Sequence, residues 1–183
     1  MEIRTAINEN NEIIVEGYPI VYNQRTMIAE IGDIKYYEEI RSGALDNADL
    51  KDVPFKYNHS DSVFIMARTR NNTLQLIPDA KGLFMRGNLA NITASRDLYE
   101  LIKRGDIDKM SFAFTVDEEE FDRNTKTRKI LSFKKIWDVS AVVDPAYDTT
   151  SISARNYFEA QEEMLRNEKE NELRRKLLLK TYL

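Results

Sequence analysis

The chain has 183 residues, with 27 Lys and Arg against 31 Asp and Glu, 42% hydrophobic residues and no cysteine. That length and composition suit one folding unit of ordinary size plus a terminal extension, and argue against two independent cores. The mildly acidic balance gives no electrostatic footprint for nucleic acid or an anionic membrane surface. The missing cysteines exclude a disulfide framework, a Cys-based zinc site and a thiol nucleophile together.

No run approaches the roughly 18 apolar residues of a membrane span. The N-terminal stretch MEIRTAINENNEIIVEG has no apolar signal region, so no secretion signal is expected. From about Glu12 to Val143 the chain reads as short strands divided by turn signals, which suggests a sheet-rich barrel or sandwich. Glu12–Tyr22 is β-branched and aromatic, with a bend or bulge expected at Gly17 and Pro19. Further strands are expected at Ile34–Ile40, Val63–Thr69, Thr73–Ile77, Gly82–Leu89, Lys109–Val116, Arg128–Lys135 and Ile136–Val143. Asn71-Asn72 suits a hairpin tip and Asp122–Thr127 a polar turn. One helix interrupts them, with Thr93 as N-cap, Leu98, Leu101 and Ile102 at helical spacing, and Gly105 as its stop. Asn156–Leu183 lacks Gly and Pro and is crowded with charge, which predicts a long helix. Its middle, Arg166–Glu172, is wholly polar, so it cannot be buried all round. The expected division is a β domain over 1–155 and a charged helical extension over 156–183.

Three segments carry chemistry. In Lys109–Val116 alternation sends Met110, Phe112, Phe114 and Val116 one way and the small Ser111, Ala113 and Thr115 the other. A hydroxyl is thereby left on an uncrowded face. His59, the single histidine of the chain, follows the apolar Val53-Pro54-Phe55 and is placed near a strand end. One imidazole closes every mechanism that needs two, His-x-x-x-His zinc sites included, and leaves one base near neutral pH. In Trp137–Val143 alternation puts Trp137, Val139, Ala141 and Val143 on one face and Asp138, Ser140 and Val142 on the other. A carboxylate in so apolar a strand needs a partner, and a histidine would satisfy it. Each segment also has a plainer reading: a surface serine, a satisfied histidine, an acid on an outer face. Together they hold the parts of an acid–imidazole–hydroxyl relay.

At these residues the chain resembles the prohead (head-maturation) serine proteases of tailed bacteriophages, a family related in fold to the herpesvirus assembly proteases. The resemblance spreads over most of Gly17–Arg155. It takes in Gly17-Tyr18, Tyr22-Asn23, and Glu39-Ile40-Arg41-Ser42-Gly43-Ala44-Leu45, which is similar to the family's E-x-I-x-P-G-A-F. It continues through Asn58-His59, Gly82-Leu83, Ile102-Lys103-Arg104-Gly105 and Met110-Ser111-Phe112-Ala113-Phe114. It closes with Asp138-Val139-Ser140, Pro145-Ala146-Tyr147 and Arg155.

The resemblance implies an α+β fold, mainly β: a herpesvirus-protease-like β-barrel with flanking helices. It puts the catalytic serine at Ser111, the histidine at His59 and the acidic third member at Asp138, where relatives commonly carry Glu before Val-Ser. The shorter Asp side chain has to sit closer to the imidazole. Ser60 replaces the usual Asp after the histidine and Ala113 a usual Gly, and neither change removes a reacting group. Arg155 and Arg68 are candidates to assist backbone N–H groups at the oxyanion. No cofactor or metal is implied. The implied partners are scaffold and major capsid protein, cleaved with the protease itself inside the assembling procapsid in the host cytoplasm; self-association is left open. The rival expectation is a non-catalytic capsid assembly or scaffolding protein of the same fold. A metal-dependent hydrolase would need three or more ligands around His59, and no compact cluster is visible.

Overall fold

The computed structural model describes residues 3–7, 12–143 and 147–181. In chain order these form β1 (Ile3–Ile7), β2 (Ile13–Val21), β3 (Thr26–Ile31), β4 (Ile34–Ile40), β5 (Pro54–Tyr57), β6 (Ala67–Arg68), β7 (Leu74–Pro78), β8 (Gly82–Leu89), α1 (Thr93–Arg104), β9 (Lys109–Asp122), β10 (Thr127–Val142) and α2 (Tyr147–Thr181). They build two sheets, β1-β2-β8-β7 and β3-β4-β10-β5-β6, with β9 added to β10 in the second. The main core lies among the strands and α1; Val15, Ile20, Phe55, Leu83, Met85, Met110, Phe133, Ile136, Val139 and Ala141 belong to it.

The two strands expected at Arg128–Lys135 and Ile136–Val143 are one, β10, of 16 residues. Its length lets it serve three partners. β9 runs antiparallel beside nearly all of it. On the other side β4 pairs in parallel with Thr127–Ile130, and β5 pairs in parallel with Val139–Ala141. Register shifts interrupt the β9 ladder, one of them between Ile136 and Asp138. A bulge adds a residue and shifts alternation by one. Ile136 and Val139 both face the core while Trp137, 53% exposed, turns outward. The expectation that Trp137 shares a face with Val139 is therefore corrected: strict alternation fails at the bulge.

The expected β-barrel is not seen as a closed one. Among the described residues the two sheets stay open and share no ladder. β2 comes near β9, but both edges of β2 are already taken by β1 and β8. β6, an edge of the larger sheet, is only two residues long. The strand expected at Val63–Thr69 shrinks to that pair; β1 and β3 were not expected as strands, and β5 is the strand whose end was expected to carry His59. The bulge foreseen near Gly17 and Pro19 lies between Gly17 and Ile20 of the β2–β8 ladder.

α1 ends as expected: Gly105 sits at φ 83 and its N–H reaches the Ile102 and Leu101 carbonyls. At its start Ile92, not Thr93, is the N-cap, without a side-chain hydrogen bond. α2 begins earlier than expected and docks through Tyr157, Phe158 and Glu162. Phe158 is fully buried, stacked on Tyr36 at 4.5 Å and tilted against Phe121 at 5.7 Å. The Tyr36 hydroxyl donates to Glu162 at 3.0 Å. Burial, aided by that bond, pushes the phenol up to about 12, so it remains a donor at neutral pH. From 166 to 176 every residue of α2 is exposed, as its polar middle requires. No helix among the described residues is long and apolar enough to cross a membrane.

Gly82 is required by close approach. A Cβ there would lie 2.0 Å from the Ile20 carbonyl oxygen, a backbone atom that cannot swing away. Gly82→Ala is therefore expected to cost about 3 kcal/mol or more, at or beyond the upper end of ordinary overpacking. Urea unfolding measures it; a midpoint equal to that of the wild type would contradict the packing of β2 on β8.

Candidate active site

Tyr57-Asn58-His59-Ser60 leaves the end of β5 as a tight turn. Asn58 and His59 have φ of 49 and 54°, and the Ser60 N–H returns to the Tyr57 carbonyl at 3.0 Å. Two positive φ values at the central positions with that bond are the type I′ pattern. Asn and His are among the few non-glycine residues that enter this region with any frequency, and still at some cost. The turn is held from β10: the Asn58 N–H donates to the Ala141 carbonyl at 2.9 Å, and Asn58 Oδ1 accepts from the Val143 N–H at 3.1 Å. Lys56 adds an ion pair to Asp61 at 2.5 Å, tying the following loop to β5.

This turn folds the imidazole back over β10. His59 Nδ1 lies 2.6 Å from Asp138 Oδ1. The side chains are 20% and 8% exposed, so the bond is sheltered and geometrically defined. A neutral imidazole facing a carboxylate through Nδ1 carries its proton there, which leaves Nε2 as the free base. Asp138 is thus within reach despite lacking the methylene of a Glu. Ser140, fully buried, donates from Oγ to Asp138 Oδ1 at 2.9 Å, accepts the His59 backbone N–H at 3.2 Å, and lies 3.4 Å from Nδ1.

Ser111 lies directly across the β9–β10 ladder from Ser140, and Ala113 across from Asp138. Opposed residues share a face with Cβ atoms about 5 Å apart. Phe112 and Phe114 lean onto the core, as alternation predicts. Ser111 is partly exposed where Ser140 is sealed. Among the described residues no hydrogen bond joins the Ser111 hydroxyl to the imidazole. The structure therefore joins His59 to Asp138 directly and sets Ser111 one strand to the side.

The two arginines fare differently. Arg68 is held by Asp52 in a two-pronged pair, 2.5 and 2.9 Å. The Arg155 side chain and Asp144–Ala146 lie outside what the structure describes. No group of three or more His, Asp or Glu suited to a metal exists among the described residues.

The model of the caudovirus prohead serine protease family matches residues 1–166. The chain belongs to that family. No curated protein and no solved structure matches it. The protease is accordingly a serine peptidase, of a family that acts in the maturation of caudovirus capsids.

Sequence reasoning missed Ser140, the buried hydroxyl touching both other groups, and the left-handed turn under His59. The turn had a local signal in Asn58, a residue tolerant of positive φ. Ser140 had none beyond sharing a strand face with Asp138. If the turn positions the imidazole, Asn58→Leu should cost about 2 kcal/mol, from left-handed strain and the lost acceptor. Asn58→Gly should cost less, since it keeps only the second of those penalties. Denaturant unfolding of both variants checks the order; a Leu variant as stable as the Gly variant would contradict it.

Proposed function

We propose that the protease cuts peptide bonds with Ser111 as nucleophile, His59 as general base and Asp138 as the group that orients the imidazole. The observation that carries this reading is the His59 Nδ1–Asp138 Oδ1 bond, made one strand away from a partly exposed serine. Ser111 Oγ attacks the scissile carbonyl while His59 Nε2 takes its proton. The same proton then passes to the leaving amine, and water repeats the cycle on the acyl-enzyme. Asp138 keeps Nδ1 protonated and stabilises the imidazolium. Ser111 stands across the ladder from Ser140, which touches the imidazole, and catalytic hydrogen bonds often tighten only with substrate. Backbone N–H groups supply the oxyanion donors, with Arg155 and Arg68 as the candidate side chains to assist them.

Ser140 is a poor nucleophile despite its closeness to the ring. It is fully buried, its proton goes to Asp138, and the nitrogen it faces is the protonated one. The substrates that fit the family are scaffold and capsid-protein segments, and the chain's own termini.

Two outcomes are expected. Ser111→Ala and His59→Ala should each lose up to about 10⁶ in rate, and the double variant should be little worse than either. Asp138→Asn should stay folded and lose up to about 10⁴, because the wrong tautomer faces the serine. Capsid assembly with each variant, read by gel and electron microscopy, should give shells that form but keep uncleaved segments. Normally processed, mature particles from both Ser111→Ala and His59→Ala would point instead to a structural assembly protein.

A further inference from the structure

We propose that Ser140 is a positioning residue that locks acid and base to one another, an inference that rests on the triad reading above. A serine hydroxyl offers one proton and two lone pairs, and the other fully buried serine among the described residues, Ser95, finds no partner for its hydroxyl. The Ser140 oxygen instead holds three polar groups within 3.4 Å: the Asp138 carboxylate, the His59 backbone N–H and the His59 ring. Its one proton goes to Asp138 Oδ1, the same oxygen that receives the imidazole N–H. That oxygen therefore takes two donors, and its direction is fixed from within β10. The hydroxyl's lone pair accepts the N–H of a residue held at φ 54°, so the same atom also fixes the backbone that carries the imidazole.

The consequence is mechanical. Asp138 can rotate about its side-chain bonds, and the turn bearing His59 can relax from a left-handed conformation that costs free energy. Ser140 opposes both movements. Because it is paired across the ladder with Ser111, it also sets the imidazole relative to the strand of the nucleophile. Ser140 makes no contact with a peptide and moves no proton in the reaction; it acts through Asp138 and His59.

His59 is the only histidine of the chain, so ¹⁵N-histidine NMR reports its tautomer without assignment. The reaction probe is a fluorophosphonate, which the serine Oγ attacks at phosphorus, forming a P–O bond as fluoride leaves and the hydroxyl proton passes to the base. In the wild type the neutral ring should be the Nδ1–H tautomer and labelling should fall on Ser111. Ser140→Ala should stay folded, show a mixture of tautomers, and label Ser111 roughly tenfold to a hundredfold more slowly, the loss expected for a hydrogen bond to a charged group. In an Asp138→Asn background the same change should have little further effect, because the two residues act as one unit. Ser140→Cys, which keeps a weak donor of similar shape, should fall between the wild type and Ser140→Ala. A pure Nδ1–H tautomer and an unchanged rate in Ser140→Ala would overturn the inference while leaving the triad standing. So would full additivity with Asp138→Asn. If Ser140→Ala fails to fold, the Cys variant decides alone: wild-type tautomer and rate would overturn the inference. Labelling of Ser140 itself in the wild type would overturn the triad reading with it.

Discussion

Both ends of the molecule depend on the fact that β10 has a partner along each of its edges. Its first residues pair with β4, its last with β5, and β9 lies beside nearly all of it. A strand so enclosed has little freedom to slip, because moving it by one residue would send its buried set to the other face. Ile130, Phe133, Ile136, Val139 and Ala141 all lie in the core. That pins the outward residues in turn. Asp138 and Ser140 stand where β5 delivers His59, and Ser111 stands beside Ser140 because the β9 register puts it there. The other end of the same strands receives α2, with Phe121 of β9 against Phe158. Ten residues of β9 separate Phe121 from Ser111, roughly 30 Å of extended chain. The helix is therefore anchored far from the candidate site.

The site stores strain rather than avoiding it. Two successive non-glycine residues with positive φ cost on the order of 1–3 kcal/mol each when nothing supports them. Here the supports are specific: three backbone N–H groups, of Asn58, His59 and Val143, each find an oxygen across β5 and β10. The rest of the loop depends on less. The Lys56–Asp61 pair involves a side chain that is 91% exposed, and such pairs contribute little. The supporting hydrogen bonds are thus concentrated at the imidazole, while further along the loop Phe64 is 80% exposed.

What could be read in advance follows from which forces are local. The apolar and small faces of Lys109–Val116 were legible because period-two alternation is written in adjacent residues. Gly105 was legible because a helix stop is a local need. β10 reads in sequence as two strands, and Trp137 as sharing a face with Val139, because a bulge is set by the partner strand and leaves no mark in its own residues. β1 and β3 were not legible, since short strands with mixed patterns gain their stability from pairing. The barrel was not legible for a related reason: whether the edge strands β1 and β7 pair with the second sheet depends on long-range contacts, and in the described residues they do not. Of the site, His59 and Asp138 were legible as one isolated imidazole and one acid in an apolar strand. Their 2.6 Å separation was not, nor was Ser140, whose importance arises only when a turn from elsewhere lands on it.

The central claim is that one hydroxyl, Ser111, is the nucleophile and depends on the His59–Asp138 pair. The most direct measurement is tandem mass spectrometry of the protein after reaction with a fluorophosphonate, wild type beside His59→Ala. The account predicts a single phosphonyl adduct on Ser111, and its near-complete loss when the imidazole is removed. An adduct on any other residue, or labelling of Ser111 at the wild-type rate without His59, would contradict it.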